Sequence, residues 1–207
     1  MPTIAVVTRK GGSGKTTIST AIAGYLAAGD VPTGILDLDP QGSASAWAAA
    51  RGDERAKVLG VRSRPATLRE DLRRMGASGV AVTVVDTPPH SDAALAGAIE
   101  VADVIVLPSL PSAFDLHALS SAVGSVKAAG RRGGVVLNCA IPNTIAIAEA
   151  KVAVAEMGLP LLGVLHRRMV WQYAAARGLS PAELDSRSEA TAELNALCGA
   201  ILNLIES

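Results

Sequence analysis

The chain has 207 residues, 19 basic against 19 acidic side chains, and 49% hydrophobic residues. At this length folding removes roughly 70% of the unfolded chain's surface from water, so a core forms without metal or disulfide staples, and the hydrophobic content excludes a disordered chain. Zero net charge excludes a basic coat for nucleic acid though not a local patch, and an aromatic content of 2% excludes rows of rings for stacking single-stranded bases.

The chain opens on Thr3–Thr8, a strand with no basic-then-apolar signal segment ahead of it. Further strands are predicted at Gly34–Leu38, Val80–Asp86, Asp103–Leu107, Gly134–Asn138 and Leu161–Leu165, with a weaker one at Lys57–Val61. Several are unbroken Val/Ile/Leu runs, as in a parallel sheet buried on both faces. Helical periodicity fills the gaps. Ile18, Ile22, Tyr25 and Leu26 share a face of the first helix, and others cover Ser43–Arg51, Leu68–Gly76, Ala93–Val101, Leu116–Ala129, Ile145–Met157, Val170–Arg177 and Ser188–Ile205. This alternation predicts an α/β fold, a doubly wound, mostly parallel sheet with helices on both faces. No linker, repeat or low-complexity tract interrupts it, so residues 1–207 are expected to form one domain. The longest charge-free stretch, Gly133–Ala148, is broken by Asn138, Pro142 and Asn143 and falls short of the roughly 20 apolar residues a bilayer span needs. Cys139 and Cys198 lie far apart without a CxxC spacing, as suits small buried apolar residues in a reducing compartment.

The strongest chemical signal follows the first strand and opens the first helix: Thr8-Arg9-Lys10-Gly11-Gly12-Ser13-Gly14-Lys15-Thr16-Thr17. Glycines let the backbone curl so that successive N–H groups face phosphate oxygens. The helix N-terminus adds partial positive charge. Lys15 supplies a full charge toward the β- and γ-phosphates, and the Thr16 hydroxyl suits Mg²⁺. The ordinary GxxxxGK[ST] loop would place Gly where Arg9 stands, and a dinucleotide fingerprint would need Gly at Thr17. A second lysine, Lys10, precedes the glycines instead.

This loop resembles the deviant Walker A motif, KGGxGK[ST], of the ParA/MinD ATPases. Asp37-Leu38-Asp39-Pro40-Gln41 resembles that family's switch I, and Val84-Val85-Asp86-Thr87-Pro88-Pro89 resembles its Walker B and switch II segment. The resemblance implies ATP and Mg²⁺ as cofactors. It implies nucleotide contacts from Lys10, Gly11, Gly12, Ser13, Gly14, Lys15, Thr16 and Thr17, and metal binding by Thr16 and Asp86. It further implies that Lys10 reaches a dimer partner's nucleotide, that Asp39 orients the attacking water, and that Lys10, Lys15 and Asp39 carry catalysis. Leu107–Leu116 is similar to the family's Pro-rich dimer-face segment. Val136-Leu137-Asn138 is similar to a strand whose terminal Asn contacts adenine. His166–Trp171 and Gly178-Leu179-Ser180 are similar to its late loop and helix, with His166 where many relatives have Pro.

Small ParA proteins of plasmid partition match this organisation best. That implies an ATP-dependent homodimer, non-specific DNA binding, slow hydrolysis without a partner, a ParB-like or small centromere-binding adaptor, and a cytoplasmic, nucleoid-associated site of action. Arg167, Arg168 and Arg177 are the candidate DNA contacts, with Lys151 and Arg187 beside them. Positioning of another cargo, such as a carboxysome or chemoreceptor cluster, and a P-loop biosynthetic ligase or synthetase are the alternatives. A membrane role is disfavoured because Ser188–Ser207 has no Lys or Arg and carries Glu189, Glu193 and Glu206. The cysteine positions argue against an iron–sulfur carrier, and the tail lacks the tyrosines of a kinase branch.

Overall fold

A computed structural model describes residues 1–52 and 57–207. Seven strands form one sheet among the described residues: β1 (Thr3–Val6), β2 (Thr33–Asp37), β3 (Val58–Arg62), β4 (Val82–Asp86), β5 (Val104–Ser109), β6 (Arg132–Ala140) and β7 (Leu161–His166). Their spatial order is β3-β2-β4-β1-β5-β6-β7, and every pairing is parallel. Helices lie on both faces, so the doubly wound fold predicted from the alternation is what forms.

The central strands read as continuous apolar runs because both faces are covered. On one face, Ile4, Val6, Ile35, Val84 and Val136 pack with Ile18 and Ile22 of α1 (Lys15–Ala28), Trp47 of α2 (Ser43–Ala49) and Leu194 and Leu197 of the C-terminal helix. On the other, Ala5, Leu36, Val85, Ile105 and Leu137 meet α3 (Leu68–Ala77), α4 (Asp92–Val101), α5 (Ala113–Ala128) and α6 (Ile145–Met157). Wholly buried side chains of this kind each contribute roughly 1.5–3 kcal/mol. After β7 come α7 (Met169–Ala175), α8 (Pro181–Leu184) and α9 (Glu189–Glu206).

The weaker strand Lys57–Val61 is real and forms the sheet edge as β3, which explains its weak pattern: only Val58 is fully buried. The predicted start of β4 at Val80 moves to Val82, because the Val80 amide bonds to the Met75 carbonyl and closes the end of α3. The short α8 was not predicted. Four residues are too few for a periodicity, although Ser180 followed by Pro181 and Glu183 is a capping sequence: Ser180 and Glu183 bond reciprocally at its N-terminus.

Candidate nucleotide and metal site

Three chain segments meet at the carboxyl ends of β2, β4 and β1, which are neighbours in the sheet. Register aligns them: Val6 pairs with Asp86, and Asp86 pairs with Asp37. Open α/β sheets offer their crevice at this edge.

The loop leaving β1 runs into α1 through Gly14, which is left-handed at φ 92°. A β-carbon there would stand 2.0 Å from the Asn138 amide nitrogen, so only glycine fits on either count. Gly14 gives α1 no side-chain cap, as is also true at the N-termini of α2, α3, α6 and α7 among the described residues, whereas serines cap α4, α5 and α9. The first-turn N–H groups of α1 are therefore left for an outside acceptor. A 250 Å³ recess lies over them, lined by Gly11, Gly12, Gly14, Lys15, Thr16, Thr17, Asp39 and Pro89.

Lys15 is buried and reaches back to donate to the Lys10 carbonyl at 3.1 Å. Burial lowers its pKa, while Asp86 and Asp39 act in the opposite direction. Asp86 is fully buried and accepts hydrogen bonds from the Thr16 and Ser19 hydroxyls, both at 2.8 Å. Burial pushes its pKa up to about 6 against the two hydroxyl bonds, Asp37 adding to the rise and Lys15 opposing it. A carboxylate and a hydroxyl in contact are hard oxygen donors of the kind Mg²⁺ takes, so Thr16 and Asp86 fit the metal role. Ser19 was missed; it lies one helical turn beyond Lys15.

Asp39 lines the recess, and its Oδ1 accepts the Gln41 amide at 2.9 Å. Asp37, passed over in the sequence, shapes this loop from beneath: its carboxylate accepts the Asp39 amide at 3.0 Å and the Ser45 amide at 2.8 Å. Asn138 is buried at the end of the β6 core and donates to the Ser13 carbonyl at 2.8 Å, so it braces the phosphate loop. Lys10 turns away from its loop and forms an ion pair with Asp115 on α5 at 2.7 Å. Asp115 carries no signal of its own in the sequence, because its pairing with Lys10 needs α5 in place.

The candidate DNA residues sit apart from this recess. Arg167 and Arg168 follow β7, where Arg168 is held by Glu189 and Glu193 of α9. Arg177 follows α7 and donates to the Tyr173 carbonyl at 3.3 Å. Lys151 lies on α6, in the opposite helical layer.

A parallel sheet whose first strand feeds a glycine loop, an uncapped helix and a buried hydroxyl–carboxylate pair defines a P-loop nucleotide-binding protein. The chain belongs to the CobQ/CobB/MinD/ParA nucleotide-binding family, whose profile matches residues 4–181. It is 39% identical over 185 residues to the maintenance of carboxysome distribution protein A of Gloeobacter kilaueensis, covering 86% of this chain and 82% of that protein. It is 30% identical over 209 residues to the same-named protein of Halothiobacillus neapolitanus, covering 97% and 96%. A ParA protein of Rhizobium radiobacter is 30% identical over 116 residues, covering 56% and 51%. Among solved structures, MinD of Pyrococcus horikoshii complexed with Mg-ADP superposes with a TM-score of 0.77 at 18% identity, covering 95% of this chain and 94% of that one. An aspartate-to-alanine variant of McdA of Cyanothece complexed with ATP gives 0.73 at 17%, covering 100% and 95%. Among the described residues, no helix is long and apolar enough to cross a membrane.

Proposed function

We propose that residues 1–207 act as one positioning ATPase domain. ATP with Mg²⁺ seats on Gly11–Thr17, two loaded chains assemble face to face, the dimer binds DNA without sequence preference, and a cargo-borne adaptor stimulates hydrolysis. The observation that carries this reading is the doubly lysine-bearing loop: Lys15 folds over its own recess while Lys10 points out of it toward α5. Catalysis in such a site is mostly positioning and charge neutralisation. Lys15 faces the phosphates, Thr16 and Asp86 would hold Mg²⁺, which neutralises phosphate charge when bound, and Asp39 holds the attacking water. Hydrolysis assayed with and without DNA, and with the product of the neighbouring gene, tests the reading. Turnover indifferent to both would remove it.

A protein microcompartment of the carboxysome kind is the cargo we favour, because the likeness to carboxysome distribution proteins spans 86% and 97% of the chain. This replaces the partition reading as the first choice. DNA partition with a ParB-like or small centromere-binding adaptor is the second reading, supported by the ParA likeness over 56% of the chain. Plasmid retention against cargo distribution in a deletion strain separates them.

Two outcomes are expected at named residues. Asp39→Ala keeps Mg-ATP binding and dimerisation but loses turnover, by about 100-fold or more if water placement is its task. Loss of Mg-ATP binding in calorimetry would make Asp39 a metal residue instead. Arg167→Glu with Arg168→Glu weakens DNA binding in a non-hydrolysable ATP analogue and flattens its salt dependence. Most of this effect should come from Arg167, since Arg168 already faces Glu189 and Glu193. Unchanged affinity removes both from the interface.

A further inference from the structure

The loop between β2 and α2 carries Asp39 and is held from two sides. From beneath, Asp37 accepts the amides of Asp39 and Ser45, and the Asp39 carbonyl accepts the Gly42 amide at 2.9 Å. The tip of the loop is Pro40, which has no N–H to offer such a bond. Its carbonyl is taken from outside, by the guanidinium of Arg62 at the end of β3, at 2.5 Å. The same guanidinium lies over Gly42. A β-carbon there would stand 3.1 Å from Arg62 Nη1 and 3.3 Å from Cζ, and Gly42 is left-handed at φ 71°. The backbone of this loop is shaped to admit the arginine.

Arg62 does not line the phosphate recess. It lines a neighbouring 940 Å³ cleft, and Asp39 and Pro89 form the wall common to both. Its side chain is exposed, and β3 is registered on β2 through backbone pairing, Asp37 opposite Arg62. Losing the guanidinium therefore removes a clasp on the loop and leaves the core intact. A carboxylate that orients water depends on its backbone: displacement of about 1 Å can cost on the order of 100-fold in rate.

We propose that Arg62 is a positioning residue for hydrolysis: by clasping the Pro40 carbonyl and covering Gly42, it fixes the loop that aims Asp39 into the phosphate recess. The proposal rests on the reading of Asp39 as the water-orienting residue. Arg62 is suited to the task because its planar, permanently charged fork can hold a carbonyl while lying flat on a glycine. Lysine can keep the bond to the carbonyl but cannot cover Gly42.

The test is steady-state turnover across Mg-ATP concentrations for wild type, Arg62→Gln, Arg62→Lys and Asp39→Ala, with melting temperatures measured alongside. Arg62→Gln should lower kcat about ten-fold with KM within about two-fold and an unchanged melting temperature, and Arg62→Lys, which keeps the carbonyl bond but not the cover over Gly42, should recover part of that loss. Wild-type kcat in Arg62→Gln, a raised KM with unchanged kcat, a melting temperature that falls with kcat, or Arg62→Lys as slow as Arg62→Gln would each overturn the proposal. Asp39→Ala isolates the reading underneath. If it keeps turnover, Asp39 does not orient the water and Arg62 has nothing to position. If it loses turnover while Arg62→Gln does not, the Arg62 assignment alone fails.

Discussion

Asp86→Asn is expected to abolish Mg²⁺-dependent nucleotide binding and, in the same molecule, to raise the melting temperature of the ligand-free protein at neutral pH. Both effects come from one buried carboxylate. In the folded chain its pKa rises from 3.8 to about 6, chiefly through burial. Below about pH 4 the carboxyl is neutral in both folded and unfolded chains and costs nothing. Between about pH 4 and 6 the unfolded chain gives up its proton while the folded chain keeps it, so stability falls as pH rises. Above the folded pKa the loss levels off at roughly 3 kcal/mol. Asparagine carries no such penalty. The Thr16 and Ser19 hydroxyls, now 2.8 Å from the carboxylate, can donate to the amide oxygen or accept from its nitrogen. The melting difference between variant and wild type should therefore grow from pH 4 to pH 7. The neutral amide is also a poorer partner for a hard dication. Calorimetry should show ADP binding that no longer strengthens when Mg²⁺ is added. A variant that melts below wild type at pH 7.5, or one whose ADP affinity still responds to Mg²⁺, would contradict this account of Asp86.

The parts of the fold legible in the sequence were those where one strong local cause acts alone. β1, β4 and β5 are apolar runs because helices cover both faces, and no competing pattern obscures them. β3 shows only faintly, because an edge strand is half covered and its residues answer to both water and core. The phosphate loop was legible because glycine, lysine and threonine must stand at fixed spacing for the backbone to meet phosphate. Asp86 ends a buried strand, but its metal role is read from the resemblance of Val84–Pro89 to the family's Walker B segment, not from that position alone. What the sequence hid were contacts joining distant segments. Ser19 meets Asp86 only because β1 and β4 are neighbours with Val6 beside Asp86. Asp37, two residues before Asp39, looked like a spare acid, and only the turn of the chain shows it gathering two amides. Arg62 lies 22 residues beyond the carbonyl it holds, across a strand pairing that had to form first. Arg167-Arg168 reads as a basic pair in the sequence, and only the packing of α9 shows two glutamates beside Arg168.

Lys10→Ala should bind nucleotide as a monomer and lose ATP-dependent dimerisation, hydrolysis, or both, and DNA binding should fall with the dimer. The second lysine of the loop lies close to Lys15 in sequence, and two like charges in one loop need compensation. In the single chain Asp115 provides it, with Lys10 Nζ 2.7 Å from Oδ2. Asp115 is nearly buried. Ser112 donates to the same oxygen, while Oδ1 has no hydrogen-bond partner among the described residues. Lys10 is thus the only cation salt-bridged to Asp115 among the described residues, and removing it leaves a buried carboxylate poorly matched. That costs about 1–2 kcal/mol, less than for a fully buried pair because the lysine side chain is 39% exposed. To reach a second chain's phosphates, Lys10 must leave Asp115, and a triphosphate opposite is the charge able to replace the carboxylate. The pair therefore acts against dimerisation until ATP is present on the facing loop. Asp115→Asn should release Lys10 and allow dimers at roughly ten-fold lower chain concentration, the equivalent of about 1.4 kcal/mol. Light scattering with ATP, ADP and no nucleotide reads both variants against wild type. If Asp115→Asn dimerises at the wild-type concentration, the pair is not a brake. If wild type stays monomeric with ATP at every concentration, or Lys10→Ala hydrolyses ATP normally, the face-to-face dimer does not describe this protein. The second lysine then belongs to a monomer, and a synthetase of the same superfamily, coupling ATP to a small substrate, becomes the better account of the site.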